Sequence, residues 1–454
     1  MSIASIKKKR MNFAAKIALG FLVIILLGTL LLMLPISSKG RTATSFLDAS
    51  FTATSAVCVT GLVRVDTALH WSMFGQTVIL LLIQTGGLGF MSLALALMLL
   101  FHRTVTAHER KMVLLSYNVD RFDSARIMIR RVFMGTFVAE GIGAVLLCFR
   151  FVPMLGARGV FKSIFTSVSA FCNAGFDLMG DVSGEGTSMM YFADDPLVTL
   201  TLAFLIILGG VGFLVFHDVA NLVRHRRRPS VYTKLVLMMT VIAIGVGMIS
   251  FAAVEWNNPL TIGGMTVGQK LLASFFYSVT LRTAGFSTIN NGGILPVTRT
   301  VAEILMFVGA ASGSTAGGVK LVTVFVLFFF VANVVLGRHH AVIFHRRISE
   351  SAFVRAVSVI VVQLVAVLLG AALAAAWSPT LSEGAVFYEA VSAISTVGLS
   401  LGITAELSAA SSVVMMILMY FGRVGILTVS CAILRRQDHA VSTLEYPEAK
   451  MLIG

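Results

Sequence analysis

Charge is scarce in this chain. Asp, Glu, Lys and Arg make up 12% of its 454 residues, about half the share found in soluble domains. So few charges cannot coat a large water-facing surface. With 57% hydrophobic residues and a mean hydropathy of +0.92, the chain reads as an integral membrane protein. Cysteine is also sparse. Cys58, Cys148, Cys172 and Cys431 are scattered, with no Cys-x-x-Cys pair, which excludes a metal-ligand spacing and argues against a disulfide framework. No His/Asp/Glu cluster and no repeated nucleophile lies within a hydrophobic run, so the chain is expected to be no enzyme and to carry no organic cofactor.

What is abundant is long apolar runs. Eight stretches can cross a hydrocarbon core about 30 Å thick: residues 17–34, 77–101, 132–151, 197–216, 235–254, 304–336, 356–377 and 413–434. Lys7–Arg10 followed by the first run imitates a signal peptide. That run is long and lacks an Ala-x-Ala site, so it is read as a retained helix. The net charge of +14 sits in clusters at 7–10, 102–111, 121–131, 224–228, 338–347 and 435–436, at every second junction between apolar runs. This alternation is the positive-inside pattern, and it puts both termini in the cytoplasm. It argues against nucleic acid and for contact with anionic membrane lipid or an acidic cytosolic partner.

The other junctions carry four versions of one segment: Phe51-Thr-Ala-Thr-Ser-Ala-Val-Cys-Val-Thr-Gly61, Phe165-Thr-Ser-Val-Ser-Ala-Phe-Cys-Asn-Ala-Gly175, Phe275-Phe-Tyr-Ser-Val-Thr-Leu-Arg-Thr-Ala-Gly285 and Tyr388-Glu-Ala-Val-Ser-Ala-Ile-Ser-Thr-Val-Gly398. Their final glycines are 114, 110 and 113 residues apart. Each lies between two apolar runs, so the repeating unit is leading helix, re-entrant half-helix with an extended end, and exit helix. Extended backbone at membrane depth is tolerated only where protein buries it or water adjoins it. Four Gly-terminated segments around an axis meet that condition, and the expected fold is all-α: eight transmembrane helices plus four re-entrant pore helices, with pseudo-fourfold symmetry around one pore. The units are residues 1–101, 102–221, 222–336 and 337–434, followed by a cytoplasmic tail at 435–454.

Rings of backbone carbonyls replace the hydration shell of a monovalent cation such as potassium. The candidate lining is Val57, Cys58, Val59, Thr60 and Gly61; Cys172, Asn173, Ala174 and Gly175; Arg282, Thr283, Ala284 and Gly285; and Ser395, Thr396, Val397 and Gly398. None is acidic, which argues against a carboxylate filter for divalent ions. Thr60, Thr283 and Thr396 either add hydroxyl oxygens or brace the loops. The half-helices aim their carboxyl ends at the membrane centre, each worth about half a negative charge. Arg282 is expected to turn its cation behind the loop, with Glu389 a candidate partner, and Glu140 is read as a paired structural charge.

Glycines recur in the exit helices as Gly86-Gly-Leu-Gly89, Gly209-Gly-Val-Gly212, Gly309-Ala-Ala-Ser-Gly313 and Gly422-Arg-Val-Gly425, where the helices are expected to bend or pack closely. The third break runs through Gly309, Ser312, Gly313, Ser314, Thr315, Gly317 and Gly318 to Lys320. So many glycines oppose a helix at about 1 kcal/mol each, so this stretch is read as an irregular loop. It lacks the Gly-x-x-x-x-Gly-Lys-[Ser/Thr] phosphate-loop pattern. With Arg423, at the matching level of the fourth exit helix, it forms the candidate gate. A cation in mid-bilayer costs about 2.5–3.5 kcal/mol on insertion scales, so Arg423 is either a barrier or half of an ion pair.

These segments, together with Gly-Gly-Leu-Gly-Phe90 and Gly-Ser-Thr-Ala-Gly-Gly-Val-Lys320, resemble those of the Trk/Ktr/HKT superfamily of potassium transporters over nearly the whole chain. In length the chain is most similar to the membrane subunit of bacterial Ktr systems (KtrB type). The resemblance implies potassium translocation across a bacterial plasma membrane and one filter glycine per unit, here Gly61, Gly175, Gly285 and Gly398. It implies gating by the mid-membrane loop and the arginine, a homodimer with one pore per subunit, and a cytosolic KtrA-like nucleotide-binding ring. No serine replaces a filter glycine, the departure linked with sodium-conducting members, although sodium coupling stays open. The rival reading, a secondary transporter for another cation or solute, is opposed by four matched repeats and few membrane acids.

Overall fold

The computed structural model describes residues 13–89, 122–225, 229–338, 342–343 and 346–425. The basic clusters at 7–10, 102–111 and 435–436, Cys431, and the far ends of the runs at 77–101 and 413–434 lie outside the described residues. Helices dominate. The strands among the described residues are Val342–Ile343 paired antiparallel with Arg346–Arg347, a small departure from the all-α expectation.

Among the described residues, fourteen helices of twelve residues or more fall into four sets. The first has α1 (Phe13–Met33), α2 (Phe46–Cys58) and α3 (Met73–Leu88). The second has α4 (Phe122–Leu155), α5 (Ala157–Phe171), α6 (Pro196–Val211) and α7 (Phe213–His225). The third has α8 (Val231–Glu255), α9 (Val267–Thr280), α10 (Pro296–Phe307) and α11 (Leu321–Val335). The fourth has α12 (Glu350–Trp377), α13 (Glu383–Ser395) and α14 (Ala409–Val424). Hydroxyls and prolines start them. Ser45 accepts from the Asp48 N–H, Ser382 from Ala385 and Ser408 from Ser411, while Pro196 and Pro296 occupy first turns that lack a partner anyway.

Among the described residues, four helices, within α1, α4, α8 and α12, are long and apolar enough to cross a bilayer by length and composition. The α6–α7 pair is a fifth candidate, bent by 95°, and α3, α11 and α14 are shorter apolar helices. The expected single run at 304–336 is split, with α10 ending at Phe307 and α11 beginning at Leu321.

The short helices α2, α5, α9 and α13 are wrapped rather than exposed. In α2 every residue from Ala49 to Cys58 is buried, which explains its small, hydroxyl-rich composition. Each packs against the leading helix of its own set, and each exit helix packs on the next set's short helix: α3 on α5, α6 on α9, α10 on α13, and α14 back on α2. The chain thereby closes on itself.

In the third exit-helix motif, Gly309 lies past the end of α10 and packs against Gly317 of its own loop. The other three motifs divide two tasks among their glycines. The earlier one sits inside the helix, where a Cβ would strike the last carbonyls of a short helix: Gly86 that of Val57, Gly209 that of Phe171, Gly422 that of Ile394. The later one ends the helix with a left-handed φ, +80° at Gly89, +93° at Gly212 and +89° at Gly425. A second repeat escaped the sequence reading. Gly28, Gly143, Gly247 and Gly370 on the leading helices make room for Leu82, Leu205, Leu305 and Leu418, each four residues before the first glycine of an exit motif.

Gly422→Ala should therefore destabilise the fold by roughly 1–3 kcal/mol, as overpacking against backbone does. Gly245→Ala, where a Cβ meets nothing, should be neutral or stabilising by up to about 1 kcal/mol. Thermal unfolding of the two detergent-purified variants checks this, and equal melting temperatures would refute it.

Candidate functional site: four glycine loops, a basin and a loop beneath

Each short helix ends in the same backbone turn. Two residues before the glycine the chain is left-handed, with φ +57° at Val59, +58° at Asn173, +66° at Thr283 and +51° at Thr396. The glycines are left-handed again, from +70° at Gly175 to +94° at Gly61. Asparagine tolerates this region, but the β-branched Val59, Thr283 and Thr396 adopt it rarely, so the surrounding packing holds them there.

The loop N–H groups turn back to their own helix. Thr60 donates to the Ser55 carbonyl (2.8 Å), Ala174 to Ser169 (2.8 Å), Val397 to Ser392 (2.9 Å) and Ala284 to Thr280 (3.0 Å). The Ser55 and Ser392 hydroxyls also accept from the Gly61 and Gly398 N–H groups, at 3.0 and 3.1 Å. With the donors engaged behind, the carbonyls of Thr60, Ala174, Ala284 and Val397 are left without a hydrogen-bond donor among the described residues.

Those carbonyls converge. A Cβ on Gly61 would strike the Ala174 oxygen, on Gly175 the Ala284 oxygen, on Gly285 the Val397 oxygen, and on Gly398 the Thr60 oxygen. The order 61, 175, 285, 398 returns to 61, so the four glycines form one closed ring. The side chains three residues before each glycine stay behind it. Cys172 Sγ lies 3.7 Å from Gln84 and 3.9 Å from Glu140, Cys58 and Ser395 are buried, and Arg282 donates to the Thr240 carbonyl at 3.4 Å.

Several expectations change here. Arg282 turns behind the loop, but no ion pair joins it to Glu389, whose carboxylate accepts from the Thr404 hydroxyl. Glu140 has no basic partner among the described residues. It accepts from Gln84 at 3.2 Å, because the polar groups around it come from α3 and the Cys172 loop. The hydroxyls of Thr60, Thr283 and Thr396 brace nothing, being buried without partners. Ser55 and Ser392 take that role. Their signal was legible, since serine stands six residues before the glycine in three of the four repeats.

Outside the ring opens a cavity of about 520 Å³ lined by all four glycines and by Asp66, Asp177 and Glu185. Arg64 lines it too, but Asp48 holds its guanidinium at 2.9 Å. The sequence reading missed this acidic rim, which joins Asp66 of the first set to Asp177 and Glu185 of the second.

Beneath the ring lies the loop between α10 and α11. Gly309 donates to the Val319 carbonyl at 2.9 Å and closes its neck. Its arm docks on the second set: the Thr315 hydroxyl donates to the Phe171 carbonyl at 3.2 Å, and the Gly313 carbonyl accepts from the Phe213 N–H at 2.9 Å. A Cβ on Gly317 would strike the Thr396 hydroxyl, which puts the loop directly against a ring segment. Gly313 and Gly318 are left-handed, at +70° and +67°. Ser314 bonds within the loop to the Ala311 carbonyl, 2.7 Å, and the Ser312 carbonyl accepts from the Tyr232 hydroxyl, 2.8 Å.

Two cations fasten this loop. Lys320 Nζ donates to the Ala316 carbonyl at 2.6 Å and to Gly317 at 3.3 Å. Arg423 donates to the Thr315 carbonyl, to Gly86, and to Gly87 at 3.1 Å. The alternative of an Arg423 ion pair fails among the described residues, because its partners are backbone carbonyls on the loop and on the first exit helix.

Residues 6–442 match the TrkH family, described as a cation transport protein. The chain belongs to the TrkH family. It is 37% identical to the Ktr system potassium uptake protein B of Bacillus subtilis, covering 96% of both chains. It is 35% identical to the potassium/sodium uptake protein NtpJ of Enterococcus hirae, covering 98% of both. The crystal structure of the potassium transporter TrkH from Vibrio parahaemolyticus superposes with a TM-score of 0.72 over 96% of this chain and 87% of that one. At 17% identity this last likeness is one of fold. Membership of this family makes the chain a transporter and fits a multi-pass membrane protein.

Burial, opposed by the Met179 N–H, pushes the Asp177 carboxyl up from its ordinary 3.8 to about 6. Between those values the folded TrkH-family chain binds more protons than the unfolded one. This group's contribution to stability is therefore present below pH 4 and lost as pH rises through 6. The melting-temperature difference between the wild type and Asp177→Asn should shift against the wild type from pH 4 to 6 and be flat above 7. A pH-independent difference would count against this assignment.

Proposed function

We propose that this chain is the pore-forming membrane subunit of a potassium uptake system in a bacterial plasma membrane. Eight spans and four re-entrant half-helices are arranged with pseudo-fourfold symmetry about the glycine ring. The observation that carries this reading is the ring itself: four carbonyls without donors, aimed inward, between an open acidic basin and a plugged lower side. Such oxygens replace a potassium ion's hydration shell without the tight hold of a carboxylate. The short-helix carboxyl ends, about half a negative charge each, add to the attraction. Val57–Gly61, Cys172–Gly175, Arg282–Gly285 and Ser395–Gly398 form the filter, and Gly309–Lys320 with Arg423 form the gate. The printed names of the relatives point the same way, and one of them pairs potassium with sodium.

The chain acts as a homodimer with both termini cytoplasmic. A soluble KtrA-like nucleotide-binding ring docks on the basic segments Arg224–Arg228 and Arg338–Arg347, so association should weaken with salt. The direct test is uptake of radioactive rubidium into proteoliposomes, with and without sodium. Saturable, potassium-competed uptake supports the reading, and its absence from well-folded protein overturns it.

Replacing Gly285 or Gly398 with Ser puts a side chain into the ring at φ +81° or +91°, and should lower potassium preference over sodium several-fold. Competition of each ion against rubidium uptake reads this, and an unchanged affinity ratio would reject the filter assignment.

Removing a barrier has the opposite signature. Deleting 311–316, or changing Arg423 to Ala, should raise maximal potassium flux several-fold with the ion preference kept. Uptake velocity against potassium concentration, normalised to protein in the membrane, decides it. A folded variant with equal or lower maximal velocity returns the loop and Arg423 to a packing role.

A further inference from the structure

A second cavity, of about 630 Å³, lies away from the ring on the outer side of the second set. Its walls are α4 and α6, and its floor is α7. Met134, Val138, Ile142 and Phe204 line it and are more than half exposed, so it opens sideways to the hydrocarbon. Along α4 it runs from Arg131 to Leu146, about 22 Å at the helical rise.

Polar groups collect at one end. Arg131 Nη1 lies 3.1 Å from His217 Nδ1 and 3.5 Å from Asn221 Oδ1. No carboxylate pairs with Arg131 among the described residues. The two partners sit on α7, which leaves the line of α6 at 95° and leads into the basic run at 224–228. A short helix turned across the spanning helices, with apolar Leu214, Val215 and Val219 beside polar His217, Asp218 and Asn221, suits the cytoplasmic interface. Arg131 is then a cation that no carboxylate neutralises among the described residues, at headgroup depth under a slot open to acyl chains. Basic groups at that depth attract anionic lipid.

We propose that this slot binds one anionic phospholipid of the inner leaflet, its phosphate on Arg131, His217 and Asn221 and an acyl chain along α4. The occupant lies beside the gate, because Phe213 and Phe216 line the slot and the Phe213 N–H donates to the Gly313 carbonyl. A lipid that steadies α7 steadies the loop's anchor. The inference rests on the membrane placement of the chain and not on the filter, and its test reads no transport.

The full-length protein is purified in detergent, and its melting temperature is followed as phosphatidylglycerol, phosphatidylcholine or inorganic phosphate is added. Phosphatidylglycerol should raise it and the other two should not. Arg131→Gln should lose more than half of that rise. So should Gly135→Leu, which fills the slot from a position where a Cβ meets nothing, while its lipid-free melting temperature is unchanged or higher. The proposal is overturned by a wild-type rise in both variants or by an equal rise with inorganic phosphate. It is also overturned by disulfide cross-linking of Val138→Cys between two copies, which would make the slot a subunit interface.

Discussion

The structure is organised around holding four stretches of non-helical backbone deep inside an apolar protein. A backbone carbonyl buried without a partner is costly, and here four of them point at one another. The arrangement is sustained from behind. In each loop the N–H of the residue before the glycine is tied to its own short helix, so the carbonyls have one direction left, and the left-handed residues at 59, 173, 283 and 396 fix it. Water or a cation in the centre then supplies what the protein withholds.

That requirement propagates outward. The loop-facing ends of the short helices are buried, with hydroxyl and small residues set among Phe51, Phe165, Phe276 and Tyr388, and three exit helices approach to backbone contact. Only glycine permits the approach at 86, 209 and 422. Because each exit helix also leans on the next set, the four sets brace one another in a closed cycle, and the ring's dimensions are a property of the whole chain.

The lower side is built by a related device. Lys320 and Arg423 lie beyond reach of any acid among the described residues, and their charge is met by carbonyls of the broken helix and of the first exit helix. A cation held this way fastens the loop, and in the function proposed above it also repels a cation approaching from the ring. The loop's outer anchor passes through Phe213 to α7, which links it to the lipid-facing side of the second set.

The sequence alone determined a great deal. Low charge, eight apolar runs and alternating basic clusters place the chain in a membrane. The fourfold motif ending at 61, 175, 285 and 398 marks the loops, because a left-handed backbone leaves a residue signature wherever it recurs. The glycine run at 309–318 marks the broken helix for the same reason. The partners of the buried charges were beyond it. Whether Arg423 or Arg282 meets a carboxylate, or Glu140 a cation, depends on which helices adjoin, and residues 86, 240 and 84 are remote in sequence from them. The acidic basin was equally hidden, since Asp66 meets the segment of Asp177 and Glu185 only where the first two sets adjoin, as the Gly186 N–H on Asp66 shows. Conformation that one residue type permits can be read along a chain. Contact between distant residues is decided by packing, and only the tertiary structure supplies it.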